Sequence, residues 1–379
     1  MKRALLPYMY FGPYHCARIE PSRRAFAAAS LELVPVSIFP ASRQYRWSHE
    51  LDSSVIQLNL GGDERDRLSW LQLARYYRVL SRLEPDVVFV NGWSARDALV
   101  CHAWCLAKGV ARVLISDSQA KDRPRSMFKE WMKSRLAAGC NAAFAAGQSS
   151  SRYLESLGLP ASAITIGCDV VDNAHFAKAR PLRGDPGFRL LTVSRLIPEK
   201  NLLAAARAFV EFCNARSASE DWRWTIIGYG PEQERLQAIA ARSQGRIILA
   251  GFRGYDDLVA EYASHDVYWQ PSISEPWGLV VNEAMASGMP VLVSRQCGCA
   301  ADLVTVDTGW TFDASSLEAM VGGLQTAAAD RVRWVALGAA AAAHIADWDL
   351  ERFARGAVDA ARLALGQATA GELSQSARP

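Results

Sequence analysis

Two glutamates, Glu275 and Glu283, stand eight positions apart in SISEPWGLVVNEAMASGMPVLVS (272–294), a stretch that is otherwise almost all apolar or small. Glutamate is seldom buried without a partner, so the segment raises the question of what two carboxylates are there to hold. A strand ends near Pro271, Pro276 and Gly278 punctuate the chain, and an Ala-rich helix begins. The first turn of such a helix presents unpaired N–H groups at its positive end, where a phosphate is favoured. A carboxylate repels a phosphate, so Glu275 and Glu283 would hold something on either side of it. Vicinal hydroxyls of a ribose and of a hexose fit, since each carboxylate oxygen can accept one O–H. The plainer alternative makes Glu275 a helix-start charge favoured by the dipole and Glu283 a solvated helix residue.

Three other stretches carry possible chemistry. In VSRLIPEKNLLAAARAF (193–209), a strand ends at Ser194 and Pro198 allows a helix to start near Lys200. Arg195 and Lys200 flank that turn at the carboxyl edge of a sheet, where α/β proteins bind ligands. Two cations there suit a diphosphate. In WTIIGYGPEQERL (224–236), Gly228 and Gly230 match the first two positions of a dinucleotide fingerprint, but Gln233 stands at the third. A partial match of this kind fits a tight strand-to-helix turn at least as well. In FGPYHCAR (11–18), Gly12 and His15 follow the first strand, and His15 is placed to touch a leaving phosphate or to be an ordinary loop residue. The tripeptide DWD (347–349) has the form of a metal-binding DxD. It precedes a helix that Asp349 would cap, so no metal site is expected.

These stretches need a scaffold. Apolar runs at 4–10, 34–39, 54–60, 86–91, 111–116 and 142–146 alternate with helical patterns such as 65–83. That rhythm predicts a parallel sheet covered on both faces. HFAKARPLRGDPGF (175–188), with two prolines and two glycines, reads as a linker. Runs at 188–195, 222–230, 246–252, 266–272 and 290–294 then predict a second sheet, followed by helices near 314–342 and 349–366. The expected fold is α/β, with two doubly wound, Rossmann-like domains facing across a cleft. Their bounds are 1–180 and 181–345, the helix at 349–366 packs back on the first domain, and 367–379 form a mobile tail.

Composition narrows the class. The chain has 379 residues, half of them hydrophobic, which suits about two globular domains. The start MKRALLPYMYF is interrupted by Pro7 and tyrosines, so it reads as a strand and not as an export signal. Eight scattered cysteines lack zinc-site spacing and read as reduced, buried thiols. A cytoplasmic location follows as an expectation. Residues 1–180 hold 24 Lys and Arg against 16 Asp and Glu, whereas the remainder holds 18 against 23. A basic first half suggests an anionic partner there, a phosphorylated acceptor or a lipid surface.

Taken together, the motifs of residues 188–312 resemble those of the retaining glycosyltransferases of family 4, which have the GT-B architecture. SRLIPEKN resembles that family's phosphate-binding loop, IIGYGP its next glycine turn, and AGF (250–252), ending at Phe252, its base-contacting strand end. Glu275 and Glu283 match its E-x7-E pair, and GCDVVDNAHF (167–176) the stretch entering its hinge. The resemblance implies that Glu283 holds the ribose and Glu275 a hydroxyl of the donor hexose. Arg195, Lys200 and the N–H groups of Gly278 and Leu279 would neutralise the diphosphate, so neither a metal nor a cofactor beyond the nucleotide-sugar substrate is expected. Many members carry a His at the end of a central strand of the first domain. Here that place holds Ser116, Asp117 and Ser118, which leaves Asp117 to bind the donor sugar or the acceptor.

The expected activity is transfer of a hexose, with retention, from a UDP- or GDP-sugar to a glycan or lipid-linked acceptor in cell-surface polysaccharide or glycolipid synthesis. Epimerisation of a nucleotide sugar, or binding of one without turnover, are the alternatives, and no nucleic-acid partner is expected. One further stretch bears on the acceptor. In AKDRPRSMFKEWMKSRLAAG (120–139), Phe128, Trp131, Met132 and Leu136 share a helical face ringed by Lys and Arg. Over 121–135 this reads either as a peripheral contact with an anionic membrane surface, at the inner face of the cell membrane, or as a helix packed on its sheet through that apolar face.

Overall fold

The computed structural model describes residues 1–39, 51–60, 68–122, 126–179, 188–216 and 220–367. It divides into two compact units: Met1–Ser118, Pro124–Val170 and Leu350–Pro379 form unit 1, and Gln119–Arg123 with Val171–Asp349 form unit 2. The division falls between Val170 and Val171, inside GCDVVDNAHF and ahead of the Pro- and Gly-rich stretch. Most of that stretch, 180–187, lies outside the described residues, as do 368–379 of the expected tail.

Unit 1 runs β1 (Lys2–Tyr8), α1 (Pro13–Ala28), β2 (Leu31–Ser37), β3 (Ile56–Gln57), α2 (Trp70–Leu83), β4 (Val87–Asn91) and α3 (Arg96–Lys108). It continues through β5 (Ala111–Ser116), α4 (Met127–Ala138), β6 (Ala142–Ala145), α5 (Gln148–Ser156) and β7 (Ile164–Ile166). Its strands form one parallel sheet in the order β3-β2-β1-β4-β5-β6-β7. The order reverses between β1 and β4, so the loops after these two strands open the crevice where such sheets take ligands. The central strands are apolar in their middles because both faces are covered: Ala4, Leu5, Val87, Val88, Phe89, Val113 and Leu114 are all buried.

Unit 2 runs α6 (Asn173–Phe176), β8 (Phe188–Val193), α7 (Leu202–Asn214), β9 (Trp222–Ile227), α8 (Gln233–Ala240), β10 (Ile247–Gly251) and α9 (Asp257–Ser264). Then come β11 (Val267–Gln270), α10 (Leu279–Ala286), β12 (Val291–Ser294), α11 (Ala300–Leu303), β13 (Gly309–Phe312), α12 (Leu317–Ala329) and α13 (Trp334–Ile345). The second parallel sheet has the order β10-β9-β8-β11-β12-β13, with its reversal between β8 and β11. Its core is aromatic, with Phe209, Phe212, Trp224 and Trp269 fully buried. A buried indole usually finds a polar partner: Trp224 has the Thr192 hydroxyl, 2.9 Å away, whereas Trp269 Nε1 has none among the described residues. The last helix, α14 (Leu350–Ala364), returns to unit 1, where it packs against α1, β6 and β7.

Differences from the expected elements have simple causes. β7 and β13 each end a sheet, and being only three and four residues long they make no long apolar run. The run at 54–60 forms a strand only over Ile56 and Gln57, after which Leu58 N–H still donates to Ser37 O at 2.9 Å. The single helix expected at 314–342 is two, because a 3-10 turn at Arg331–Arg333 intervenes. Asp330 at that turn accepts from the Trp310 indole at 2.9 Å. The helix expected near Lys200 starts at Leu202, after a 3-10 turn at Pro198–Lys200 and Asn201 in a left-handed conformation. Among the described residues no helix is long and apolar enough to cross a membrane.

Candidate functional site

In unit 2 the loops after β8 and β11, the two strands at the reversal, carry the residues singled out above. The loop after β8 lies directly on the glycine turn after β9. Ser194 N–H donates to Ile227 O at 2.9 Å, Leu196 N–H to Tyr229 O at 2.9 Å, and Glu232 N–H to Leu196 O at 3.0 Å. A Cβ on Gly228 would stand 1.8 Å from Ser194 O, and one on Gly230 2.4 Å from Leu196 O. The GxG pair therefore permits two backbones to touch, which is the tight-turn reading and not a dinucleotide loop. Glu199 O then accepts from Ile273 N at 3.0 Å and Ser274 N at 3.3 Å, tying the β8 loop to the β11 loop.

The β11 loop is held from its other side by CGC (297–299). Glu275 and Cys297 form a parallel bridge, Gly298 N–H donates to Glu275 O at 2.9 Å, and Cys299 N–H donates to Trp277 O at 3.2 Å. Only glycine fits at 298, where a Cβ would come within 1.8 Å of Pro276 O. All eight cysteines are free. Burial pushes the thiols of Cys297 and Cys299 well above their ordinary range, so these two are packing groups.

Held in this way, Glu275 meets Lys200. The Lys200 ammonium donates to Glu275 Oε2, and both side chains are only about a tenth exposed (12% and 11%). Gln270 Nε2 donates to the same oxygen at 3.0 Å, and the Tyr268 hydroxyl fixes that amide by donating to Gln270 Oε1 at 2.6 Å. Gln119, which groups with unit 2, donates to the carbonyls of Glu275 at 2.9 Å and Gln296 at 2.8 Å. The half-buried Arg195 side chain has no hydrogen-bond or ion-pair partner among the described residues. One cation of the pair is thus engaged with the carboxylate and the other is available.

Glu283 lies on α10, one face of which is packed inward. It is completely buried, and the equally buried Tyr262 donates to its Oε2 at 2.6 Å. A solvated helix residue is therefore excluded. Both carboxylates bear on Tyr268, whose hydroxyl is held well above the usual phenol range by burial first and Glu283 next, with Glu275 adding to them. Gly278, at φ +108°, turns the chain into α10, so the helix begins with the N–H groups of Leu279 and its neighbours. Phe252, just past β10, packs edge-on against Tyr229 with ring centres 5.7 Å apart.

Unit 1 carries the remaining candidates. Gly12 precedes α1, and its N–H donates to Nδ1 of His15 at 3.1 Å, so His15 caps its own helix instead of lying in a loop. Its ring sits 4.3 Å from that of Tyr8. Asp117 is exposed just beyond β5. On α4 the apolar face, for which packing on the sheet is one of two readings, is turned outward: Phe128 is 67% and Trp131 54% exposed, with Met127 and Met132 exposed beside them. Among the described residues of α4, Ala137 alone is buried. Part of the 121–135 stretch, 123–125, lies outside the described residues.

Tyr262, Gln270, Tyr268 and Gln119 escaped the sequence reading. Each acts on a glutamate from a distant or differently patterned stretch, and a lone Tyr or Gln in a strand or helix gives no sign of which carboxylate it will meet.

Residues 176–343 match the family described as glycosyl transferases group 1. Over 169 residues the chain is 34% identical to the sulfoquinovosyl transferase SQD2 of Arabidopsis thaliana, covering 43% of this chain and 31% of that protein. It is 29% identical over 166 residues to a GDP-mannose-dependent monoacylated alpha-(1-6)-phosphatidylinositol monomannoside mannosyltransferase of Corynebacterium glutamicum, covering 42% of each. The matches thus span a third to two fifths of these relatives' length. The fold likeness is wider: sucrose-phosphate synthase from Thermosynechococcus elongatus superposes with a TM-score of 0.73 over 97% of this chain and 100% of that one, at 16% identity. The two parallel α/β sheets have the GT-B fold of glycosyltransferases. The similarity to the group 1 glycosyltransferases thus lies in residues 176–343, nearly all of unit 2.

Proposed function

We propose that this protein transfers a hexose from a UDP- or GDP-sugar to a glycan or lipid-linked acceptor, with retention at the anomeric carbon, as family 4 enzymes of this fold do. The observation that carries the reading is the Lys200–Glu275 pair, buried at the reversal of the unit 2 sheet and next to the start of α10. Arg195, Lys200 and the N–H groups of Gly278 and Leu279 take the diphosphate. Glu283 takes the ribose hydroxyls and Phe252, against Tyr229, the base. Glu275 takes a hexose hydroxyl and opposes the positive charge that grows on the ring. The bond from the anomeric carbon to the phosphate oxygen breaks. The acceptor oxygen bonds to that carbon on the same face, and its proton passes to the departing diphosphate. Fixed cations and a helix end oppose the developing negative charge, so no metal is needed.

A lipid-linked acceptor is favoured by α4. Its exposed Phe128, Trp131 and Met132 lie among Lys129, Lys133 and Arg135, the composition of a helix that rests on an anionic lipid surface. One relative is named for a phosphatidylinositol mannoside acceptor.

A thermal-shift panel of UDP, GDP, ADP and their sugars, followed by turnover with lipid and glycan acceptors, tests the reading. One nucleoside diphosphate should raise stability by about 2.7 kcal/mol at a hundredfold excess over its Kd. Stabilisation by none of them, or epimerisation of the donor with no transfer, refutes it.

A further inference from the structure

Glu275 is bound through one oxygen only. Its Oε2 accepts from the Lys200 ammonium and, at 3.0 Å, from Gln270 Nε2, while its Oε1 has no hydrogen-bond partner among the described residues. The two donors are held with different firmness. Lys200 closes a 3-10 turn and reaches Oε2 on a flexible four-carbon stem. Gln270 closes β11, where it pairs with Val293 of β12, and it is only 1% exposed.

Every polar atom of the Gln270 side chain is engaged. Nε2 donates to Glu275 Oε2 and also to Ser272 Oγ at 2.9 Å, and Oε1 accepts from the Tyr268 hydroxyl at 2.6 Å. A carboxylate only accepts, so the amide nitrogen must face Glu275 and the amide oxygen Tyr268. Tyr268 answers that oxygen as a donor. Burial first, then Glu283, holds its hydroxyl well above the phenol range, so the proton stays. Its other contact, to Val193 O, is longer at 3.3 Å. The amide cannot turn over without setting its oxygen against a carboxylate.

We infer that Gln270, locked by Tyr268, is a positioning residue for Glu275: it holds Oε2 in place and leaves Oε1 for the hexose hydroxyl. The inference rests on the proposed sugar transfer, in which Lys200 also opposes the diphosphate. A cation shared with a diphosphate loosens its hold on the carboxylate, whereas Gln270, buried and uncharged, keeps its own. A neutral donor has a second consequence. It leaves the carboxylate's charge to oppose the positive charge that grows on the ring, which a second cation in its place would cancel.

The test compares three variants of the whole chain. Gln270→Met keeps the length of the side chain and loses its donors. Turnover at saturating donor should fall about tenfold to a hundredfold, the worth of a hydrogen bond to a charged group, with nucleoside diphosphate affinity unchanged. Tyr268→Phe should act in the same direction, by about fivefold, since it removes a neutral hydrogen bond. Gln270→Glu keeps the shape and adds a pH readout. Two carboxylates this close, with Lys200 as the one cation on them, share a proton. While that proton is bound, the new carboxyl donates to Glu275 and turnover approaches that of the natural chain. As pH rises through the pKa of the pair, the two charges repel and turnover falls. Lys200, Arg195, Tyr268, Cys297 and Cys299 are common to both proteins, so the ratio of their turnovers isolates the pair. A packing role for Gln270 predicts a ratio flat with pH. A flat ratio, full turnover in Gln270→Met, or loss of diphosphate affinity in step with turnover overturns the inference. If Gln270→Met does not fold, the near-isosteric Gln270→Glu decides alone. Infrared difference spectra of Gln270→Glu follow the shared proton without turnover. They should show a protonated carboxyl band that persists to higher pH than in the natural chain and is lost when Glu275→Gln is added. A natural chain that transfers no sugar from any donor refutes the transferase reading, and the infrared titration then decides whether Gln270 holds Glu275, absence of the band overturning it.

Discussion

Both sheets open at their carboxyl ends beside a reversal of strand order, yet the two openings are made differently. In unit 2 the loops lie backbone on backbone: Ser194 against Gly228, Leu196 against Gly230, Pro276 against Gly298. They carry a buried ion pair, Lys200 with Glu275, and a second cation, Arg195. In unit 1 the opening is a small cavity with two aspartates and no lining Lys or Arg. The charges of the two halves run the other way, with an excess of cations in residues 1–180 and of anions in the rest. Net charge governs long-range attraction and solubility, whereas a site is set by the few groups that converge on it. In unit 2 the two cations Arg195 and Lys200 stand with two carboxylates, Glu275 and Glu283, and in unit 1 the lining runs against the charge of its half.

The comparison can be broken first at its glycines. Gly228→Ala puts a Cβ on the Ser194 carbonyl at φ +142°, whereas at Gly92 (φ +69°) a Cβ meets nothing within 4 Å. Overpacking and backbone strain together should cost about 3–5 kcal/mol at Gly228. Strain alone should cost about 1–2 kcal/mol at Gly92. Denaturant unfolding of the two variants checks this, and equal losses would mean that the stacked loops are not what holds unit 2's opening.

Next come the glutamates. Glu275→Gln keeps the side chain's size but removes the charge facing the hexose and facing Lys200. Turnover should fall by roughly 10²–10³, about 2.7–4 kcal/mol, while free nucleoside diphosphate still binds. Glu283→Ala should instead weaken the nucleoside diphosphate and the full donor alike, by about 2–4 kcal/mol. It also strands the Tyr262 hydroxyl, so affinity is compared in folded protein only. If Glu275→Gln loses diphosphate affinity and keeps turnover at saturating donor, the two roles are reversed.

The surface of unit 1 offers a smaller effect. Lys129, Lys133 and Arg135 replaced together by Gln should abolish sedimentation with anionic vesicles, at about 1 kcal/mol per charge, and sedimentation of the natural chain should fall as salt rises. Lys133 is also bonded to Glu130 and Tyr153, so Lys129 and Arg135 alone serve as the control for packing. The smallest expected effect is that of chelation, under which activity should persist. Loss of turnover in EDTA and its return with magnesium would give the ionic work of unit 2 to a metal.

Much of this was legible in the sequence, because parallel strands buried on both faces are apolar runs and the runs alternate with helical patterns. The motifs at Arg195, Lys200, Glu275 and Glu283 were legible as well, since each follows a strand at a fixed offset and backbone geometry puts such residues at one edge of a sheet. What depends on neighbours distant in sequence was not. Whether Glu283 faces solvent or core turns on which side of α10 packs inward, and only the fold brings Tyr262 to it. Lys200 is 75 residues from Glu275, and no spacing rule joins them. The face of α4 holding Phe128 and Trp131 has the same periodicity whether buried or exposed, and the tertiary structure turned it outward. The cavity of unit 1 draws on loops after β4, β5 and β7, so its acidity appears only when folding brings Asp117 and Asp169 together. Sequence determines local geometry because a few residues' own sterics suffice for it. Burial, pairing and the sign of a site are properties of groups brought together, and those the fold alone decides.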